Sequence, residues 1–237
     1  MIRWVLSVVL TCTVAVNTLM SQDIYYRNVT GQTLKLFADS GSKIVFKDDA
    51  SKQYAQHFNY VLKFFDKMEF HSVQVVLKPS KKTMRIKPSF ASLFQAPQNR
   101  DYKIYFSSSG VSALDSITLQ NLSVNEQVGL IATGVSHIEN LSTSGFFEML
   151  FWHFKQLSKN AKTKLERDVE LKVLEVGLGY QLLALEKIRE EKLKIENWNN
   201  AGAYSSYFKH YKGRFLSAET IGNFLNDLPV YATNHFQ

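Results

Sequence analysis

The chain has 237 residues, 45% hydrophobic and 13% aromatic, with four prolines and eleven glycines; such a composition supports a buried core and excludes a disordered or low-complexity protein. Its formal net charge of +7 is spread along the chain, and a single cysteine, Cys12, excludes a disulfide framework. No stretch is rich enough in Pro, Gly or Ser to serve as a linker. Residues 23–237 are therefore expected to form one compact unit, with an α/β part over 23–122 and a helical part over 123–237.

Residues 1–22 stand apart. Arg3, an apolar run from Trp4 to Val16 and a more polar stretch before Asp23 follow the order of a secretory signal peptide. The run is shorter than the roughly 18–20 residues of a spanning helix. Export to a periplasm or the extracellular space is the expectation, with no stable membrane span after removal; an uncleaved anchor is the alternative. "VLTC" matches a lipoprotein box only faintly, because Thr11 stands where a smaller residue is preferred. Once the signal is gone, no thiol remains as nucleophile or metal ligand.

Residues 23–50 mix short β-type runs, "TLKLFA" and "SKIVFK", with turn residues such as Gly31, and predict a small hairpin-like start. From Ser51 to about Met68, Tyr54, Phe58, Val61, Leu62 and Phe65 recur at helical spacing, with Ser51 as N-cap. Three strands follow in "HSVQVVLK", "TMRIKPSF" and "DYKIYFSSS". Beyond Val124 the chain reads as helices. The first opens with Ser123 and Glu126 in capping-box spacing. The second, "TSGFFEMLFWHFKQL", is strongly apolar. The third, from Asn160 to Lys192, carries Gly177 and Gly179 as a break or close packing point. The last follows Ser217 as cap. The fold class is α+β.

Lys78, Lys81, Lys82, Arg85 and Lys87 lie in one region, and Lys187 to Lys194 in another, where Glu186, Glu190, Glu191 and Glu196 interleave as on a solvated helix face. Without a stacking-aromatic motif, the first group does not make a nucleic-acid site, and none is expected. No G-x-S-x-G elbow, P-loop or dinucleotide fingerprint is present. The three N-x-S/T sequons matter only in a host that glycosylates them.

The stretch "GLIATGVSHIEN" carries the functional question. On a helix, Val124, Val128, Ile131, Val135 and Ile138 form one apolar stripe, while Thr133 and His137 share the opposite face one turn apart. Ligands at i and i+4 over a core-facing stripe are the geometry of a two-histidine zinc helix, but only the second position is a histidine. Gly129, Thr133, Gly134 and Ser136 make the rest of that face small, which suits close packing or a groove. A solitary helical histidine with an ordinary structural role is the plain alternative.

Several segments together resemble a family of secreted bacterial proteins with a gluzincin-like zinc-protease core. That family's central helix reads approximately N-x-Q-x-G-x-x-x-H-E-x-x-H, and "NEQVGLIATGVSHI" follows it without gaps. Asn125, Gln127, Gly129 and His137 match; Thr133 stands at the first zinc histidine and Gly134 at the catalytic glutamate. The family's E-x-x-x-D and I-E-x-G-L-G segments are similar to "ERDVELKVLEVGLGYQL", with Glu166 at the third-ligand position and Glu170 in place of the aspartate. Glu170 is thereby implied to support the ligands from behind. The likeness covers roughly residues 70–230.

The resemblance thus implies a zincin-like helical part and a degenerate member. A gluzincin zinc takes two histidines, one glutamate and a water, and its glutamate base deprotonates that water. With Thr133 and Gly134 in those places, His137 and Glu166 are vestigial ligands, no cofactor is expected, and zinc is the one metal left open. The function implied is a pseudoprotease that binds a peptide or protein in the former substrate cleft. The alternatives are a divergent metallohydrolase that recruits a further ligand, such as His153, His57, His71, His210 or His235, and a structural envelope or interaction protein. Glu166 and Glu170 also have a simpler account as solvated residues near Lys162 and Lys164.

Overall fold

A computed structural model describes residues 26–37, 43–65, 68–80, 82–109, 114–145, 158–193 and 215–232. The proposed signal segment and most of the apolar "TSGFFEMLFWHFKQL" lie outside them. The described architecture is α+β, with eight helices and one four-stranded mixed sheet. Among the described residues no helix is long and apolar enough to cross a membrane.

The described residues of 26–50 do not form a hairpin. "GQTLK" forms helix α1 (Gly31–Lys35), because Thr30 and Thr33 make a reciprocal cap that local β-propensity does not anticipate. "IVF" is strand β1 (Ile44–Phe46). The single helix expected from Ser51 is two pieces, α2 (Asp49–Lys52) and α3 (Ala55–Leu62). Asp48, not Ser51, is the cap: its Oδ1 accepts the Ser51 N–H at 2.7 Å, while Oδ2 accepts the Leu77 N–H at 3.3 Å. One carboxylate thus starts α2 and pins it to the sheet.

The three expected strands form as β2 (Ser72–Lys78), β3 (Met84–Pro88) and β4 (Asp101–Ser107). The sheet order is β1-β2-β4-β3, parallel except for β3, which runs antiparallel along β4 at the edge. Alternation sets the faces. Val73, Val75, Tyr102, Ile104 and Phe106 are buried and pack with Phe58 of α3, whose ring meets Phe46 and Phe106 edge-on. Lys78, Arg85 and Lys87 on the other face are exposed.

Helix α4 (Val124–Ser142) is the centre of the molecule. Its capping box forms as expected, with Glu126 Oε2 accepting the Ser123 N–H at 2.7 Å. Every residue from Val128 to Ser136 is buried, so the small-residue face is a packing surface and not an open groove. Gly129 lies against the backbone of Gln181 and the Leu185 side chain in α6 (Gly179–Lys192). Ser136 Oγ donates to the Val169 carbonyl of α5 (Lys159–Glu175) at 2.9 Å. Arg100, 2% exposed at the head of β4, donates to the carbonyls of Gln95 (3.0 Å) and Ser144 (2.7 Å), which anchors the C-terminal end of α4. Gly129→Ala places a methyl inside van der Waals contact of the Gln181 carbonyl, backbone that a rotamer change does not move. A loss of about 1–3 kcal/mol is expected in denaturant unfolding, against the gain of up to about 1 kcal/mol the same change gives in an open helix.

The glycines of "VGLGYQL" have separate reasons. Gly177 takes φ 92° and turns the chain between α5 and α6. At Gly179 the close neighbour is Tyr231, in the short helix α8 (Pro229–Ala232) that follows α7 (Ala218–Asp227). Tyr231 Oη accepts the Gly179 N–H at 2.8 Å and donates to the Leu174 carbonyl at 2.5 Å, closing the corner with one hydroxyl. Tyr231→Phe leaves both backbone groups buried without this partner. The expected loss is about 1–3 kcal/mol, read as a lower urea midpoint at unchanged m.

Candidate functional site

Helices α4 and α5 bring two of the sequence-predicted residues together across 29 positions of chain. His137 Nε2 lies 3.1 Å from Glu166 Oε2, with side-chain exposures of 12% and 14%. A second pair, Lys172 with Glu139 at 3.4 Å, links the same helices. Glu166 is therefore not a solvated surface residue. Periodicity places His137 on its helix face, but only the α4–α5 packing carries Glu166 to it.

The other two positions on the α4 turn are closed. Thr133 is 5% exposed, and its Oγ1 donates to the Leu130 carbonyl at 2.8 Å within the helix. Gly134 faces the sheet: a Cβ there would meet Met84 Sδ at 2.9 Å and Ile104 Cδ1 at 3.7 Å. The Met84 thioether from the edge strand thus fills the space beside Gly134. Nothing in the sequence pattern singled out Met84, because its role comes from the docking of β3 on α4.

Glu170 does not reach towards His137 with a hydrogen bond. It is 1% exposed, and its Oε2 accepts the backbone N–H of Leu216, just ahead of α7, at 2.6 Å; Oε1 has no hydrogen-bond partner. Burial, and then the neighbouring Glu186, push its pKa well above the ordinary carboxylate range. The solvated-helix reading of Glu186 is also overturned. It is fully buried and paired with Arg189, with its Oε2 unpartnered. Its pKa is raised to about 6, chiefly by burial, with Arg189 acting the other way. Arg189 itself lies over the Phe215 ring at 5.6 Å, and Glu190 Oε1 accepts the Ala218 N–H at 3.1 Å. The acidic side chains of α5 and α6 therefore hold the N-terminal end of α7.

The other described histidines are placed elsewhere in the fold. His71 Nδ1 is 2.9 Å from Asp101 Oδ1 at the sheet end. His57 is buried in α3 beside Tyr54, and neither ring nitrogen has a hydrogen-bond partner. Its pKa is lowered to about 4 by burial, which the Gln127 amide beside it offsets only in part. His153, His210 and His235 lie outside the described residues. Among the described residues no group of three or more His, Cys, Asp or Glu is disposed to hold a metal ion. His137 and Glu166 supply two donors where a catalytic zinc takes three from the protein, so this donor set does not fit that metal. Against models of known protein families, curated proteins and solved structures, the chain has no match.

Proposed function

We propose that this chain is a catalytically inactive protein on a zinc-metalloprotease-type scaffold, acting by binding a peptide or protein segment in the former substrate cleft. The observation that carries the reading is the His137–Glu166 contact at 3.1 Å. Two residues from separate helices, aligned with the second and third zinc ligands of the gluzincin pattern, meet in space. On the same helix turn, Thr133 Oγ1 bonds its own helix and Met84 fills the space at Gly134. A two-donor remnant without a base has no route to hydrolysis by that mechanism.

What remains is an edge strand beside the remnant. β3 pairs only with β4 among the described strands, and its Met84 touches α4 one turn before His137. An extended segment can add to such an edge through main-chain hydrogen bonds, with neighbouring side chains selecting its sequence.

Metal content tests the reading. Elemental analysis of protein purified without chelator or histidine tag is expected to give zinc far below one per chain. Near-stoichiometric zinc that disappears in His137→Ala would overturn it in favour of the metallohydrolase, with a third ligand from outside the described residues.

A further inference from the structure

We propose that the outer face of the sheet is a docking surface for an anionic lipid bilayer, with Phe90 and Phe94 as its apolar anchors. Strand register assembles the face. Val76, Tyr105 and Arg85 stand side by side in one row, and Gln74, Lys103 and Lys87 in the next. Lys78 pairs in register with Ser107 and lays its Nζ 4.1 Å from the Tyr105 ring centroid. Alternation directs these residues away from the helices, since Val75, Ile104 and Tyr102 between them are buried. Lys78, Arg85 and Lys87 are exposed and Lys103 is half-buried.

The central rows contain no acid. Asp101 stands at the end of the face, where Ser72 Oγ donates to it at 2.6 Å and His71 lies at 2.9 Å. That leaves four cations across two neighbouring strands and the next, a field that complements negative phosphates. Lys78, Arg85 and Lys87 belong to the basic region already legible along the chain, whereas Lys103 joins it only through the pairing of β4 with β2 and β3.

The apolar component sits at the Lys87–Lys103 end. Immediately after β3 the chain makes a short 3-10 turn, Phe90–Ser92, fixed by Ser92 Oγ to the Ser89 and Asp101 carbonyls. It presents Phe90 at 79% and Phe94 at 70% exposure, their rings edge-to-face at 6.4 Å. A soluble partner that only neutralised the cations would leave two large aromatic side chains in water. A bilayer surface accommodates both, with rings among the headgroups and acyl chains and cations at the phosphates. On the inner face of the same strands, Met84 and Ile104 lie against Gly134 of α4, so docking here leaves the His137 region uncovered.

Vesicle co-sedimentation of the full chain tests the proposal, comparing phosphatidylcholine alone with phosphatidylcholine containing phosphatidylglycerol. The apolar run from Trp4 to Val16 is common to every variant, so the readout is the difference between variants. Wild type is expected to prefer the anionic vesicles and to release with added salt. Arg85→Gln with Lys87→Gln should weaken binding about thirtyfold, roughly fivefold for each charge, and Phe90→Ser with Phe94→Ser should weaken it on both vesicle types. All these residues are at the surface, and circular dichroism should show an unchanged fold. Binding that neither pair alters, no preference for anionic vesicles, or capture of single-stranded oligonucleotides in place of vesicles would each overturn the proposal.

Discussion

Thr133→His with Gly134→Glu, combined with Met84→Ala, is expected to create a zinc site where the wild type has two donors. Thr133 is one turn before His137 on the same face of α4, so a histidine there is placed beside the His137–Glu166 pair. It replaces a hydroxyl now bonded to the Leu130 carbonyl. The third substitution is required by packing: a side chain at Gly134 meets the Met84 sulfur at 2.9 Å, and shortening that methionine opens the volume the glutamate needs. Even an outer-shell partner changes metal affinity about 10–100-fold, so adding a whole ligand should tighten zinc binding by at least about 100-fold in competition titration with a chromogenic chelator. Thr133→His with Met84→Ala alone should bind zinc without hydrolysing peptides, because it lacks the base. A folded triple variant that ignores zinc would sink the decayed-site reading.

The second large effect is in the response to pH, where two kinds of buried group act in opposite directions. His57 has its pKa lowered to about 4 in the fold by burial, against about 6.5 when unfolded. Between those values the unfolded chain binds the extra proton, so stability is lost as pH falls from 6.5 to 4, by about 3 kcal/mol in all. Glu186 is shifted upward, to about 6, and Glu170 upward as well. For these the folded state holds the proton more tightly, so their contribution is fully present below about 4.5 and is lost as pH rises through the folded pKa.

Two variants separate the limbs. His57→Leu should shrink the drop in melting temperature between pH 6.5 and pH 4. Glu170→Gln keeps an oxygen for the Leu216 N–H, so it should match wild type at pH 4 and melt several degrees higher at pH 8. If His57→Leu parallels wild type from pH 4 to 6.5, His57 does not titrate as its burial requires.

Elements whose physics is local were legible in the residues. The Ser123–Glu126 box, the alternation in β2 and β4, the Ser217 cap and the break at Gly177 each depend on neighbours within a few positions, and each forms where the spacing places it. Where two local signals competed, the prediction failed. Asp48 displaced Ser51 as a cap because its second oxygen also reaches the Leu77 amide, a bond across 29 residues. "TLK" became helical because Thr30 and Thr33 satisfy each other. The charges of α6 read as a solvated face, yet Glu186 is buried among groups from α5 and the approach to α7.

The same division runs through the site. Chain spacing alone determined that Thr133 and His137 share a helix face and that position 134, a glycine, carries no side chain. It could not determine that Glu166 comes to 3.1 Å from His137 while Glu170, one turn later, turns to Leu216. Nor could it determine that Met84 fills the gap at Gly134 or that Lys103 stands beside Arg85 and Lys87. The physical reason is one of range. Helical and strand periodicities fix direction along one element, whereas these contacts depend on which elements are pressed together, and that follows from burial of the whole apolar surface around α4.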